Sequence, residues 1–578
     1  MADNSTRKQE NRDGECVQRC LREFSELQAQ RSLFAGQWEE AALIALPTSR
    51  NTFFYGSFNW QGQKKTDKQV DMTAGLALHR FCAIADSLIT PRNMFWHGLE
   101  ADGPNAEYVM KDRQSRLWFE QVTKILFKYR YSQIGNFVGQ NYNNWQSLGC
   151  FGNATMFVDK FDNRTMPGMR GLRYRSIPLG ETFYGENHQG MIDRLHRWFR
   201  LTPYQCVQKF GKERTPPNIL AALEKDSQAV YDFLHVVRPR DEDDYDPERL
   251  DERGKPFESC YVSIDGRCLV APEGGYRKFP YAPSRYDQTP GEVYGRGWMQ
   301  IALPSVKTLN AQKTVFLTQG HRAAAPVLLT HDEGLTNVSL RPGAINPGGM
   351  SADGKRLIDI LPSGNIQIAK EMMETEAKLI KDTSMMSIMD TLVENPNMTA
   401  TQVIQIVNER AMLLAPTLGR QHAEYVPAMV ERELDLLSEQ GLLPKMPPRL
   451  REAKGEYRVT DTSQLALEAR AGQAAGFFRT MENVKELISI TQDPSPLDNF
   501  DFDTALPEIA RIQNVPEKWM ADNNQKAAAR QNRQKAIQQK QQADMMPNQA
   551  AIMKAQAAQY KAGMNQPQQG QQQQPVPA

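Results

Sequence analysis

The sequence lacks any run of about 18 apolar residues, the length a helix needs to cross a bilayer. Its first stretch, Met1 to Arg12, is polar and holds no apolar signal core. A soluble chain made in the cytosol, with no membrane partner, is the expectation. Net charge is missing too, since 69 Lys and Arg stand against 68 Asp and Glu. Phosphate binding scales with the number of phosphates neutralised by Lys and Arg, so a tight or sequence-specific DNA binder would show a basic stripe, and none stands out before the C-terminal tail. Cysteine is sparse: Cys16, Cys20, Cys82, Cys150, Cys206, Cys260 and Cys268, an odd count with no C-x-x-C pair, which argues against a disulfide framework. Cys16 and Cys20 lie one helical turn apart, but zinc requires further ligands and no nearby His or Cys supplies them. They read as structural, and no metal is expected.

Catalytic motifs are absent as well. There is no G-x-S-x-G elbow, and His79, His97, His188, His196, His235, His321, His331 and His422 show no H-E-x-x-H spacing. The acidic residues Asp241, Glu242, Asp243, Asp244 and Asp246 lack the glycine and terminal glutamate of a calcium loop and read as a solvated loop. Gly349, Gly354 and Lys355 match a phosphate-binding loop, but Arg356 sits where Ser or Thr must hold magnesium. Asn346, Pro347 and Gly348 precede it instead of a buried strand, so a hairpin turn accounts for the glycines. Nothing here points to an enzyme or a cofactor.

What is present is length, helix and a particular order of elements. At 578 residues the chain can build several cores. Residues 15–46 read as a helix, with Leu21, Phe24, Leu27, Leu33 and Phe34 on its apolar face. A second helix is expected from Asp71 to Thr90, and a long one from Glu107 to Trp145. Strand signals follow at Asn153 to Phe161, Leu172 to Ile177, Val230 to Val237, Ser259 to Ile264 and Arg267 to Val270. The fold class is therefore α+β, predominantly helical.

Between about Tyr294 and Val426 the order is long helix, small strand-rich insert, second helix, short loop, third long helix. The first helical pattern runs Gly297 to His321, with Trp298, Ile301, Leu309 and Phe316 on its apolar side and Gln300, Lys307, Thr314 and Thr318 in a polar row. Pro304 either bends this helix or marks its start. The second spans Gln367 to Asp390, with Ile368, Met372, Leu379 and Met386, and Ala369, Met373 and Ile380, recurring at four and seven on one face. Asn395, Pro396 and Asn397 force a turn, and Thr399 with Gln402 fits a capping box opening the third helix. Two helices bracketing a compact insert make a rod with a tip. Shorter helices are expected over residues 463–490 and 502–513. From Ala521 the chain turns Gln- and Ala-rich, with helix expected from Asn524 to Tyr560 and flexible chain from Gln566.

The runs Phe34-Ala35-Gly36-Gln37-Trp38, Asp71-Met72-Thr73-Ala74-Gly75, Asp86 to Trp96, Tyr294-Gly295-Arg296-Gly297 and Met398 to Val403 occur in an order that resembles the portal, or head-to-tail connecting, proteins of short-tailed bacteriophages, podovirus-type. The likeness extends from about residue 20 to 520.

The resemblance implies a ring, a homo-dodecamer, with a channel on its axis for double-stranded DNA during packaging and ejection. It places a wing at residues 1–290, a first stem helix at 291–323, a clip at 324–365 and a second stem helix at 366–390. A tunnel loop at 391–398, a long wing helix at 399–460, a crown at 461–520 and a tail at 521–578, either a barrel helix or disordered, complete the layout. Candidate channel and tunnel-loop residues are Leu392, Glu394, Asn395, Asn397, Lys307, Lys313, Lys378 and Lys381. Candidate clip residues for partner docking are Asp332, Asn337, Arg341, Lys355 and Arg356. Implied partners are the terminase large subunit, tail adaptor proteins, and the major capsid and scaffolding proteins, at the capsid portal vertex of the virion and in the host cytoplasm during assembly. Two rival readings are a DNA-translocating ATPase built on Gly349 to Lys355, and a non-viral oligomeric scaffold or adaptor held together by its Gln/Ala tail.

Overall fold

The computed structural model describes residues 2–46, 53, 69–162, 164, 166–225, 228–330, 338–339, 341–361, 366–384, 400–453, 455–462, 464–492, 495–513 and 515–563. The N-terminal half runs α1 (Ala2–Ala45), α2 (Thr73–Ile89), β1 (His97–Ala101), α3 (Ala106–Lys111), α4 (Arg113–Arg130), α5 (Phe137–Phe151), β2 (Asn153–Lys160), β3 (Leu172–Ser176), β4 (Thr182–Glu186) and β5 (Ile192–Leu201). It continues with α6 (Pro203–Phe210), α7 (Pro217–Lys225), β6 (Tyr231–Pro239), β7 (Phe257–Ser263), β8 (Cys268–Leu269), β9 (Gly274–Tyr276) and β10 (Tyr281–Arg285). Then come α8 (Trp298–Ala324), β11 (Leu328–Thr330), β12 (Ile358–Ile360), α9 (Ile366–Thr383), α10 (Ala400–Glu439), α11 (Pro448–Glu452), β13 (Tyr457–Asp461), α12 (Gln464–Thr491), α13 (Phe502–Ile512) and α14 (Asn523–Gly563). The α+β, mainly helical class expected from the sequence is what the chain adopts.

Local chemistry sets the breaks. The single helix expected from Glu107 to Trp145 is three, because Asp112 takes an extended conformation and caps α4, its carboxylate accepting from the Ser115 amide at 3.1 Å. Asn136, left-handed at φ 56°, then reverses the chain into α5. Thr202, Pro203 and Gln205 start α6 with a full capping box.

An antiparallel sheet of order β4-β5-β6-β7-β8, with β9 also on β7, forms one body. Along β6 the side chains alternate, as a pleated strand requires. Leu234 and Val236 join Val17, Cys20 and Phe24 of α1 on one face, while Phe233 joins Cys206, Phe210 and Ile219 of α6 and α7 on the other. The acidic loop after β6 is not simply solvated: Asp244 pairs with Arg12 at 2.7 Å and Asp241 with Arg19 at 3.2 Å, gripping α1. The main core lies beside this body and gathers the second half of α1, α2, α4, α5, the sheet β10-β2-β3, the start of α8 and the second half of α10. Pairing of β1 with β13, Leu99 opposite Val459, returns the chain to its N-terminal half.

Inside this core Arg130 of α4 and Glu433 of α10 are both fully buried and joined by two bonds of 3.0 and 2.5 Å, and the Tyr174 hydroxyl donates to the same carboxylate at 2.6 Å. The expected apolar face of α1 needs one correction: Leu33 is 80% exposed, and the buried stripe runs Val17, Cys20, Phe24, Ala35, Trp38, Ala42 and Ala45. Leu33 lies off that three-and-four spacing.

Candidate functional site

The rod is α8 and α9 lying side by side, with β11 and β12 forming a small hairpin sheet at its tip, Leu328 opposite Ile360 and Thr330 opposite Ile358. At about 1.5 Å per residue α8 is about 40 Å long. Its root is built tightly. Gly297 precedes α8, and a Cβ there would meet the Gly149 carbonyl oxygen at 2.6 Å and the Gly152 amide nitrogen at 2.7 Å. Gly152 itself is left-handed at φ 74°. Asn153 bonds both backbone groups of Gly295, each at 2.8 Å, and Tyr294 packs against Tyr184, Phe34 and Trp38. The Asn310 side chain accepts from the amides of Val70 and Asp71 at 2.8 and 3.0 Å. Each run that carried the resemblance in the first half of the chain and before α8 thus has a mechanical place: Phe34, Trp38, Asp71 and Tyr294 to Gly297 clamp the rod root, half-buried Asp86 accepts from the Asn141 side chain at 3.0 Å, and Trp96 sits in the core with the Arg130 guanidinium over it at 4.5 Å.

Beyond the root the rod is bare. Buried residues of α8 end at Leu309, and Ile301, Val315 and Leu317 are exposed. Ile301 was expected on the inward side, but Met299, Ala302, Leu303 and Val306 take that role. Pro304 lies inside α8 rather than at its start. The single apolar face expected of α9 divides: Met373, Ala377 and Ile380 pack on the core, while Ile368, Met372 and Leu379 are each more than half exposed, and Met386 lies outside the described residues. Apolar side chains such as Met372 and Leu379, exposed on a long helix, cost solvation free energy unless another surface covers them.

The sequence-predicted lysines differ in setting. Lys307 pairs with Glu40 of α1 at 2.5 Å and Lys313 with Asp71 at 2.7 Å, so both are engaged by their own subunit. Burial works to raise the Asp71 carboxyl, but the bonds from Lys313 and Thr73 outweigh it and hold it below the ordinary carboxylate range. Lys378 is exposed on α9 and Lys381 half-buried. Leu392, Glu394, Asn395 and Asn397, and the capping pair Thr399 and Gln402, concern residues or side chains outside those described, as do Asp332 and Asn337.

At the tip Arg341, Lys355 and Arg356 are exposed. Met350 bridges to Arg356, Ser351 donates to the Lys355 carbonyl at 2.8 Å, and Leu357 to the Gly349 carbonyl at 3.0 Å. Gly354, at φ 74°, turns this hairpin. Lys355 is followed by a strand, not by the helix whose N-terminus a phosphate loop requires. Among the described residues no helix is long and apolar enough to cross a membrane.

The profile of the family described as "Bacteriophage head to tail connecting protein" matches residues 17–520. The chain is 24% identical over 529 residues to the "Probable portal protein" of Bordetella phage BPP-1, covering 89% of this chain and 90% of that one. It is 23% identical over 535 residues to the "Portal protein" of Salmonella phage epsilon15, covering 90% and 91%. A chain from a "Virion of native gene transfer agent (GTA) particle" aligns at 10% identity over 71% of this chain and 85% of its own, with a TM-score of 0.34, too low to carry an argument.

Proposed function

The chain belongs to the bacteriophage head-to-tail connecting protein family and is a phage portal protein, and on that premise we propose that copies of it close into a dodecameric ring whose axis is the passage for double-stranded DNA. The family is structural rather than enzymatic, and its members are components of the virion capsid. In this reading residues 1–290 form the wing, α8 and α9 the stem, residues 324–365 the clip, residues 391–398 the tunnel loop, residues 399–460 the long wing helix and residues 461–520 the crown. The tail from residue 521, helical in α14, extends towards the capsid interior. Terminase and later the tail adaptors dock on the clip, with Arg341, Lys355 and Arg356 presented there. Capsid and scaffolding proteins surround the wing while the particle assembles in the host cytoplasm.

One observation carries this reading to the level of the ring: among the described residues the buried side chains of α8 stop at Leu309, and beyond them Val315 and Leu317 of α8 and Met372 and Leu379 of α9 stand exposed and call for cover. Neighbouring stems in a cyclic assembly would supply it. Rotational repetition also turns one exposed lysine such as Lys378 into a ring of charge, and a conduit benefits from weak, distributed phosphate contacts because DNA must slide. The hairpin geometry at Gly349 to Lys355 gives no support to the ATPase alternative.

The test is a deletion of Leu392 to Asn397 in heads assembled with this portal. Rings of normal size with impaired packaging or retention of DNA are expected. Normal packaging and retention would remove the loop from the mechanism.

A further inference from the structure

Cys16 and Cys20 of α1 are brought against Cys260 of β7, so a third thiol arrives from 240 residues away in sequence. Cys16 Sγ lies 3.5 Å from Cys260 Sγ and 4.0 Å from Cys20 Sγ, and all three sulfurs are within 4.8 Å of one another. A carboxylate joins them: Glu258 Oε1 is 3.2 Å from Cys260 Sγ and 3.7 Å from Cys16 Sγ. Cys20, Cys260 and Glu258 are buried, and Cys16 is half-buried at the edge, which leaves a way in.

These spacings are those of a coordination sphere. With Zn–S of about 2.3 Å and Zn–O of about 2.0–2.2 Å in a tetrahedron, sulfurs stand about 3.8 Å apart and sulfur to oxygen about 3.5 Å. The observed 3.5 and 4.0 Å from Cys16 Sγ to the other two sulfurs bracket the first value, and 3.2 and 3.7 Å from Glu258 Oε1 to Cys260 and Cys16 bracket the second; the three sulfurs form the compact set, and the carboxylate approaches it from the Cys16 and Cys260 side, so closing the sphere draws Oε1 towards Cys20. Surrounding groups fit as well. Arg238 donates to Glu258 Oε2 at 2.9 Å and Arg19 reaches both carboxylate oxygens at 3.2 and 3.3 Å, which orients the carboxylate with Oε1 towards the thiols and offsets the negative charge of three thiolates. Glu23, bonded to Arg238 at 3.0 Å and facing His196, closes this shell.

We propose that Cys16, Cys20, Cys260 and the Glu258 carboxylate form a closed four-ligand site for zinc, which clasps the N-terminal half of α1 to the wing sheet. Four protein ligands leave no open position, so the site is structural. On binding, each thiol that coordinates gives up its proton to solvent, and no electron transfer is involved. The proposal stands on the wing fold alone and is independent of ring formation.

The experiment uses the full-length protein purified with a reductant and without chelator, its metal content measured by mass spectrometry after transfer to metal-free buffer. About one zinc per chain is expected, lost in Cys260→Ser and retained in Cys268→Ser, whose thiol lies on the edge strand β8. Replacement by Co²⁺ should give thiolate-to-cobalt charge-transfer bands with the visible bands of a tetrahedral ion, and Glu258→Gln should shift the latter. Wild-type protein with no zinc, no cobalt spectrum and three titratable thiols would overturn the site, as would a Cys16–Cys260 disulfide in its place. Zinc content unchanged by Cys260→Ser would place the ion elsewhere, and a cobalt spectrum unchanged by Glu258→Gln would remove the carboxylate from the ligand set. The wild-type measurement decides even if a variant fails to fold.

Discussion

Glu433 and Arg130 are both fully buried, so Glu433→Ala leaves a guanidinium uncompensated in the core and should cost about 3–5 kcal/mol in denaturant unfolding. The double variant Arg130→Met, Glu433→Leu should recover most of that loss, because it removes the charge together with its partner. Two buried histidines give a pH signature. Burial first, then the charges of Arg130 near His97 and of Lys209 and Arg197 near His235, hold both imidazoles well below their usual value of 6.5. The unfolded chain takes up these protons as pH falls through about 6.5 while the folded chain does not, so stability is lost on acidification, by about 1.4 kcal/mol per pH unit for each histidine. Unfolding midpoints at pH 7 and pH 5 check this, and His97→Phe with His235→Gln should flatten the difference. Such pairings were illegible beforehand. Arg130 and Glu433 stand 303 residues apart and Cys16 and Cys260 244, so the inference that Cys16 and Cys20 have no third ligand at hand was true of the sequence and false of the fold.

Elements were the most readable level, because a helix advertises itself in a few turns of its own sequence. The helix expected from Gly297 to His321 is α8, Trp298–Ala324, and that expected from Asn524 to Tyr560 is α14, Asn523–Gly563. Which face turns inward was less readable. Apolar periodicity placed Ile301 and Leu33 in a core that they do not enter, because the stripe is defined by what packs against it. At the rod root Gly297 was visible only as part of a recurring run; its reason is the approach of the Gly149 and Gly152 backbones. Gly297→Ala forces that contact apart and should cost about 1–3 kcal/mol as overpacking does, with faster amide exchange at Val70 and Asp71, which bond to Asn310 across the same root.

At the scale of the whole molecule, apolar surface is left exposed along the rod. The chain anchors its rod at one end, exposes an apolar row along the rest, and carries near-zero net charge, a combination that suits a stave repeated about an axis better than a monomer. In the proposed ring such contacts belong to the wing and stem, so removal of residues 521–578 should leave the assembly intact. An adaptor held together by its tail would instead fall apart. Electron microscopy of the purified full-length and tail-truncated proteins tests the central claim most directly: rings with an axial opening in both are predicted, and solid monomers without an opening in the full-length protein would contradict it.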